Sequence, residues 1–210
     1  METYPLSLAL FDFFPALAFL IGAFYLVRIA LLCRGRRTGR MVMAGTLLVF
    51  LGGFLKATWK LLYTTGIADI QWMSQGQFVL SGIGFLGMCV AVILMVRGSR
   101  KTGSSNAGPV LAIAAWKLPF LFLMTVTSLG AEGILAALAF RRHARGAAIG
   151  FVIGVLGILA MGGMASAEQT LAMQWIEEII NTIGQLGFMT GSILLYQNFK
   201  ATGCDKPAGE

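Results

Sequence analysis

Residues 16–40 read ALAFLIGAFYLVRIALLCRGRRTGR, a long apolar run that ends in a cluster of arginines. Residues 121–145, LFLMTVTSLGAEGILAALAFRRHAR, follow the same plan and end in a second RRxxR motif. Other matches recur about half a chain apart: Pro15 and Pro119, Gln71-Trp72 and Gln174-Trp175, and Gly84-Phe85-Leu86 and Gly187-Phe188-Met189. These matches predict that the chain is an internal duplication.

The apolar runs are long enough to cross a lipid bilayer. The chain is 57% hydrophobic and 12% charged, and a helix needs about 20 mostly apolar residues to span the hydrocarbon core. Backbone groups in lipid must be hydrogen-bonded within their own segment, so each run is predicted to be a helix. The qualifying segments are Leu6–Leu32, Met41–Tyr63, Gln71–Val96, Val110–Phe140, Ala147–Ala167 and Ala172–Gln197. The sequence therefore predicts an all-α, multi-pass membrane bundle of six spans.

The duplication divides the predicted bundle into two repeats of three helices. Residues 1–97 form the first repeat, 98–109 an exposed linker, 110–200 the second repeat, and 201–210 a disordered polar tail. Three crossings per repeat is an odd number, so a second copy joined without an extra crossing enters the membrane upside down. We therefore expect inverted repeats, with the two RRxxR loops on opposite faces.

The fourth segment has a second interpretation. Val110–Phe140 is 31 residues long, which is long for one helix, and Pro119 divides it. An additional crossing before Pro119 would make the two repeats parallel. Because Val110–Leu118 is short for a crossing at about 1.5 Å of rise per residue, the sequence favours an interfacial or half-buried stub here.

The net charge of +7 is carried largely by basic residues beside the span ends. Such positions set membrane topology and contact anionic lipid headgroups, and this distribution argues against a nucleic-acid partner. The arginines of the two motifs are Arg36, Arg37, Arg40, Arg141, Arg142 and Arg145. In the inverted plan, seven Lys or Arg residues share one face and five the other, which weakly favours both termini outside.

Charged residues inside the spans are candidates for function because a charge is costly in lipid. The candidates are Asp12, Arg28, Lys56, Lys60, Lys117 and Glu132. We expect Glu132 to pair with Lys56, with Asp12 as the competing partner for that lysine. An alternative for Arg28, Lys60 and Lys117 is that their charged ends extend along the helix to the membrane surface.

The last span carries a polar stripe at spacings of three and four residues, on one helix face. Its members are Gln174, Glu177, Glu178, Asn181 and Gln185. In the inverted plan, the two glutamates share a membrane face with Arg28 and Lys117. We expect Glu178, Asn181 and Gln185 to line the contact between the halves together with Gln71 and Gln75 of the third span. The alternative is interhelical hydrogen bonding that holds the bundle together.

Motifs for chemistry are missing from the sequence. The single histidine, His143, lies in a basic loop, and the GxSxG, HExxH and phosphate-binding glycine patterns do not occur. We therefore expect no catalytic residues, no metal and no cofactor. Cys33, Cys89 and Cys204 show no pairing pattern, so they are interpreted as free structural thiols.

Two functions remain open from the sequence. The first is a small transporter or channel with a polar pathway between two pseudo-symmetric halves, because such halves can alternate access to one site. The second is a non-catalytic subunit or assembly factor of a larger membrane complex. The expected partners are the bilayer with its anionic headgroups and either a second copy of the chain or a membrane-complex protein.

Overall fold

The computed structural model describes residues 5–96, 117–164, 168 and 170–204. These residues contain seven α-helices and no strand. The helices are α1 (Leu6–Phe11), α2 (Phe13–Arg34), α3 (Arg36–Thr64), α4 (Gln71–Val96), α5 (Lys117–Arg141), α6 (Arg145–Met164) and α7 (Leu171–Thr202). Counting α1 with α2 as one span, six are long and apolar enough to cross a membrane, which confirms the all-helical prediction.

Local sequence explains the two tight breaks in the first half. Pro15 has no N–H to donate to the carbonyl of Phe11, and the helix breaks at Asp12, between α1 and α2. Gly35 alone joins α2 to α3, with a φ of 77° that a residue with a side chain adopts at a cost. The helices on either side of Gly35 are therefore antiparallel neighbours.

The helices form a closed ring. Each of α2 to α7 packs against the next along the chain, and α7 closes the ring against α2. The centre is apolar: Phe19 of α2 stacks on Phe188 of α7 with ring centroids 5.2 Å apart, and Phe151 of α6 lies beside Phe188 at 6.2 Å. Both contacts lie in one continuous hydrophobic core that runs through all six long helices.

Glycines allow the backbones to approach closely at two places. A Cβ on Gly45 of α3 would lie 2.8 Å from the carbonyl oxygen of Gly84 on α4. A Cβ on Gly150 of α6 would lie 2.7 Å from the carbonyl oxygen of Gly187 on α7. The α3–α4 and α6–α7 pairs thus cross through matching small-residue contacts, as is common in membrane helices.

Contacts between the first and last long helices give their relative direction. The rings of Phe11 and Trp175, near the starts of the two segments, have centroids 5.8 Å apart. Cys33 and Cys204, near their ends, form a disulfide. Helices α2 and α7 are therefore parallel.

Contacts between α4 and α5 show that these two helices are also parallel. A Cβ on Gly82 would lie 3.1 Å from the Phe120 ring, and a Cβ on Gly130 would lie 3.3 Å from Cys89 Sγ. Residue numbers therefore increase in the same direction along both helices. The described helices α2, α4, α5 and α7 run one way, and α3 and α6 run the other.

The prediction of inverted repeats is therefore wrong. Each helix of the first half runs in the same direction as its counterpart in the second half, and the two RRxxR motifs lie at the same end of the ring. Most of the predicted stub, Val110–Leu118, falls outside the described residues.

Because α2, α4, α5 and α7 run in the same direction, the charged residues fall into two groups at opposite ends of the ring. At the end where α2, α4, α5 and α7 finish, here called the arginine end, the described residues include no Asp or Glu. Its basic residues are Arg34, Arg36, Arg37, Arg40, Arg141, Arg142, Arg145 and Lys200. The opposite end, here called the ion-pair end, holds Asp12, Lys56, Lys60 and Glu178. The start of α1 and the finish of α7 lie at opposite ends, so the expectation of both termini on one side is also wrong.

Two of the cysteines differ from expectation. The disulfide between Cys33 and Cys204 contradicts their interpretation as free thiols, whereas Cys89 is free. Helix α7 continues to Thr202, so the ordered chain extends past the predicted boundary at residue 200. The sequence could not reveal the pair, because its members are 171 residues apart.

Candidate functional site

Four charged side chains meet at the ion-pair end. Lys60 Nζ lies 2.9 Å from Asp12 Oδ2 and 3.0 Å from Glu178 Oε1. Lys56 Nζ lies 3.3 Å from Glu178 Oε1 and 3.9 Å from Asp12 Oδ1. These residues are called the four-charge cluster below. Each lysine contacts both carboxylates, so the cluster is a closed and formally neutral network.

Three elements position the cluster. Asp12 stands at the break between α1 and α2 that Pro15 causes. Lys56 and Lys60 are four residues apart on α3 and therefore lie on the same face, one turn from each other. Glu178 lies in the first part of α7 and is buried. The cluster therefore joins α2 and α3 of the first half to α7 of the second.

Burial makes the neutrality of the cluster important. The side chains of Asp12 and Glu178 are 4% exposed and that of Lys60 is 6% exposed, whereas Lys56 is 29% exposed. Removing one partner of a buried ion pair leaves an uncompensated charge, which typically costs about 3–5 kcal/mol. Lys56 is the one member of the cluster whose side chain reaches the surface of the bundle to a substantial extent.

These contacts correct several sequence-based predictions. Lys56 pairs with Asp12 and Glu178, so its predicted pairing with Glu132 is wrong. Lys60 is buried in the cluster and does not extend along the helix to the surface. Glu178 lies with the two lysines, not on the face of Arg28. The side chain of Lys117 falls outside the described residues.

Arg28 has a different environment from the other charged candidates. Its guanidinium is exposed, donates a hydrogen bond to Tyr196 Oη at 3.1 Å and lies 5.6 Å from the centroid of the Phe24 ring. This position agrees with a charged end that reaches the surface of the bundle.

Glu132 is buried away from the cluster. It is 4% exposed on α5, and its Oε2 atom accepts no hydrogen bond from the described residues. The carboxylate lies against Gly154 of α6, where an added Cβ would overlap Oε2. Among the described residues, no Lys or Arg forms an ion pair with it. The carboxyl is therefore buried without a counter-charge.

Comparison of the chain with protein-family models, with curated protein sequences and with solved structures returns no significant match. Any functional argument therefore rests on the residues of this chain.

The polar stripe of α7 and the polar residues of α4 lie on helices that are not neighbours in the ring. In the ring, α7 has α6 and α2 as neighbours, and the halves meet through the α2–α7 and α4–α5 seams. The lining of the contact between the halves by Glu178, Asn181 and Gln185 together with Gln71 and Gln75 stays a prediction. Gln71 is exposed and Gln75, Asn181 and Gln185 are half-buried.

Two other stripe members, Gln174 and Glu177, are also half-buried. The side-chain oxygens of Gln174 and Gln185 are buried without a hydrogen-bond partner among the described residues. Glu178 is the stripe residue that the structure brings to the four-charge cluster.

The arginine end contains a cleft of about 130 Å³ between the ends of α2, α4, α5 and α7. Arg142 donates to Asn198 Oδ1 at 3.2 Å, to Thr202 Oγ1 at 2.9 Å and to the carbonyl oxygen of Gly203. Its guanidinium also lies over the Phe199 ring. Partial burial lowers the pKa of Arg142 from its ordinary value.

Arg34 has a similar role beside the cleft, because its Nε donates to the carbonyl oxygen of Met95 at 2.9 Å. Both arginines therefore satisfy groups at helix C-termini, where cations are favoured. The other motif arginines, Arg36, Arg37, Arg40, Arg141 and Arg145, are exposed.

The four-charge cluster was only partly visible in the sequence. The spacing of Lys56 and Lys60 indicates two cations on one face, which require carboxylates from other helices. The choice of Asp12 and Glu178 depends on α7 lying parallel to α2, and no local signal encodes that arrangement.

Proposed function

We propose that this chain is a multi-pass integral membrane protein whose arginine end faces the cytoplasm. Large apolar side chains on the outer surface support insertion, among them Phe14, Phe24, Phe122 and Ile149, which are 55–71% exposed. The separation of basic residues from carboxylates supports the orientation, because cytoplasmic loops carry excess Lys and Arg. The disulfide between Cys33 and Cys204 at the same end counts against it, because thiols in the cytosol are kept reduced. The exposed arginines would contact the anionic headgroups of that leaflet.

We also infer that α2–α4 and α5–α7 are parallel repeats, related by rotation about an axis along the bundle. The shared helix directions and the matching glycine crossings of α3–α4 and α6–α7 support this relation. The two ring seams, α4–α5 and α7–α2, are then equivalent contacts between the repeats. Parallel repeats of this kind occur in transporters.

Within that architecture, we propose a small transporter that opens at the α2–α7 seam. The observation that carries this proposal is the buried four-charge cluster, which joins the two repeats at one end only. Ion pairs across a seam have two discrete arrangements, paired with each other or separated and paired with water or substrate. The disulfide between Cys33 and Cys204 holds the same two helices together at the other end, so separation would be largest at the cluster.

A second function, a non-catalytic subunit of a membrane complex, has one observation in its favour. Phe19 and Phe188 stack at the centre of the ring, where a pathway would run. The cluster would then hold a static bundle, and the exposed apolar surface would accept a second copy or a partner protein.

Flux measurements in liposomes separate the two functions. We expect the purified protein to carry protons or monovalent cations across the vesicle membrane, and Lys56→Gln to change that flux. Lys56 is the partly exposed member, and Lys60 still bridges both carboxylates in the variant, so the fold is retained. Glu168→Gln is the matched control, because this carboxylate is exposed outside the helices.

Two results would count against transport. Proton, sodium and potassium fluxes equal to those of empty vesicles would favour the subunit role. If the flux of Lys56→Gln equals that of the wild type, the four-charge cluster does not take part in transport.

A further inference from the structure

A second buried acid, Glu132, lies outside the four-charge cluster. It is 4% exposed, and its Oε2 atom is fully enclosed without a hydrogen-bond donor among the described residues. The carboxyl packs directly on the backbone of Gly154, where a methyl group would overlap Oε2. The α5–α6 interface is thus shaped around this carboxyl group.

The helices packed around Glu132 bring no opposite charge to it. On α4, the titratable side chain is Cys89, which lies beside Gly130. On α6, the charged residue is Arg145, nine residues before Gly154 and thus about 14 Å away along the helix. On α5 itself, Arg141 is also nine residues away, and Lys117 is fifteen residues away at the helix start.

Helix α7 approaches through its contact with α6. A Cβ on Gly184 of α7 would lie 3.9 Å from the carbonyl oxygen of Gly154. The nearest charged residue of α7 is Glu178, which is occupied by Lys56 and Lys60. The approach of α7 therefore adds no cation.

A buried carboxylate without a counter-ion is strongly disfavoured, and the simplest neutralising ligand is a proton. A metal ion needs several oxygen, nitrogen or sulfur ligands at once, and no group of three or more His, Cys, Asp or Glu residues occurs among the described residues. A proton needs only one carboxylate oxygen. The absence of a hydrogen-bond donor at Oε2 also means that no group of the described residues stabilises the ionised form there.

We propose that Glu132 is a proton-binding site, which is protonated while α5 and α6 are packed and releases its proton when water reaches it. In the release step, the carboxyl O–H bond breaks, the proton passes to water and the carboxylate remains. This inference rests on the proposed transport function for its use, because a proton bound and released by Glu132 would be the coupling ion. The protonation itself can be measured without any transport.

Infrared spectroscopy of the full-length protein in liposomes tests the site directly. A protonated carboxyl group gives a C=O stretching band that is separate from the carboxylate bands. We expect this band near neutral pH in the wild type, its loss in Glu132→Gln, and its retention in Glu168→Gln. As the pH is raised, the band should disappear and carboxylate absorption should grow.

Three further variants keep the test decisive. Glu132→Asp retains a carboxyl group, so its band should be shifted and not lost. Gly154→Ala should displace the carboxyl toward water and lose the band near neutral pH, whereas Gly162→Ala on the same helix, where nothing lies within 4 Å of an added Cβ, should retain it. Identical carboxyl spectra for the wild type and Glu132→Gln near neutral pH would overturn the proposal.

Flux assays on the same samples separate this inference from the proposed function. A protonated Glu132 in a protein without flux would overturn transport and leave the proton site. Flux in a protein whose Glu132 is ionised near neutral pH would overturn the proton site and leave transport. Only the two proposals taken together predict a protonated Glu132 and a proton flux that Glu132→Gln abolishes.

Discussion

The two ends of the ring handle charge in opposite ways. At the ion-pair end, two lysines and two carboxylates neutralise each other inside the bundle, across helices of both halves. At the arginine end, the charges are of one sign and mostly exposed, and the buried parts of Arg34 and Arg142 are satisfied by helix-end oxygens. One end depends on pairing between charges, and the other depends on helix termini and on the disulfide.

The buried charges of the ion-pair end should therefore stabilise the fold, whereas the exposed arginines should set the orientation in the membrane. Removing the buried Lys60 from the ion-pair end leaves Asp12 and Glu178 with only the partly exposed Lys56, so it should affect folding strongly. Removing an exposed charge from the arginine end leaves nothing buried, so it should affect folding little. The arginine end should instead decide how the chain is oriented in the membrane.

The largest predicted effect is an all-or-none pattern of chemical labelling. Single cysteines replacing Thr38 and His143, in a background without native cysteines, should react with a membrane-impermeant reagent from the same side. A cysteine replacing Ile67, which is 72% exposed in the α3–α4 loop, should react only from the opposite side. Labelling of Thr38→Cys and His143→Cys from different sides would support the inverted arrangement and contradict the placement of both arginine motifs at one end of the ring.

The second effect is on stability at the ion-pair end. Lys60→Met should lower the free energy of unfolding by about 3 kcal/mol, because Asp12 and Glu178 lose their closest cation. Denaturant unfolding in detergent micelles measures this, with Arg40→Gln at the arginine end as the matched control, expected to change stability by less than about 0.5 kcal/mol. Adding Glu178→Gln to Lys60→Met should recover part of the loss. Equal stabilities of the Lys60 and Arg40 variants would contradict the comparison.

A smaller effect is expected from the disulfide at the arginine end. Cys33→Ser should destabilise the protein by about 2 kcal/mol, toward the lower end of the usual range, since helices that persist in the unfolded chain in detergent already restrict the positions of its ends. Unfolding of wild type and variant with and without reductant measures it, and Cys89→Ser serves as the control for a free thiol. If reductant destabilises Cys33→Ser as much as the wild type, the bond to Cys204 is not the cause.

Local sequence predicted the helices better than their arrangement. The third segment, Gln71–Val96, has the predicted bounds, and the other five long helices differ from prediction mainly at their ends. The candidate site was predicted in its members and in one alternative pair, because Asp12 was the competing partner expected for Lys56 and lies 3.9 Å from it. Asp12, Lys56, Lys60 and Glu178 were all candidates, yet the expected partner of Lys56 was Glu132.

The wrong partner was expected for Lys56 for the same reason that the second half was expected to be inverted. An inverted second half would bring the start of α7 to the face of Arg28, whereas parallel halves bring Glu178 to Lys60. Hydropathy identifies long apolar runs, and it does not encode the direction of α5 relative to α4, which only the contacts between the two helices show.

The sequence by itself determined which segments are helical, because runs of about 20 apolar residues can satisfy their backbone groups only within a helix. It also determined that the charged residues inside those runs would require partners. Only the tertiary structure decided which partners they have, since Asp12 and Glu178 are brought to the lysines by ring closure between α2 and α7. Tertiary packing also left Glu132 against Gly154 without a counter-charge, because contacts between distant helices depend on direction and rotation, which local patterns do not encode.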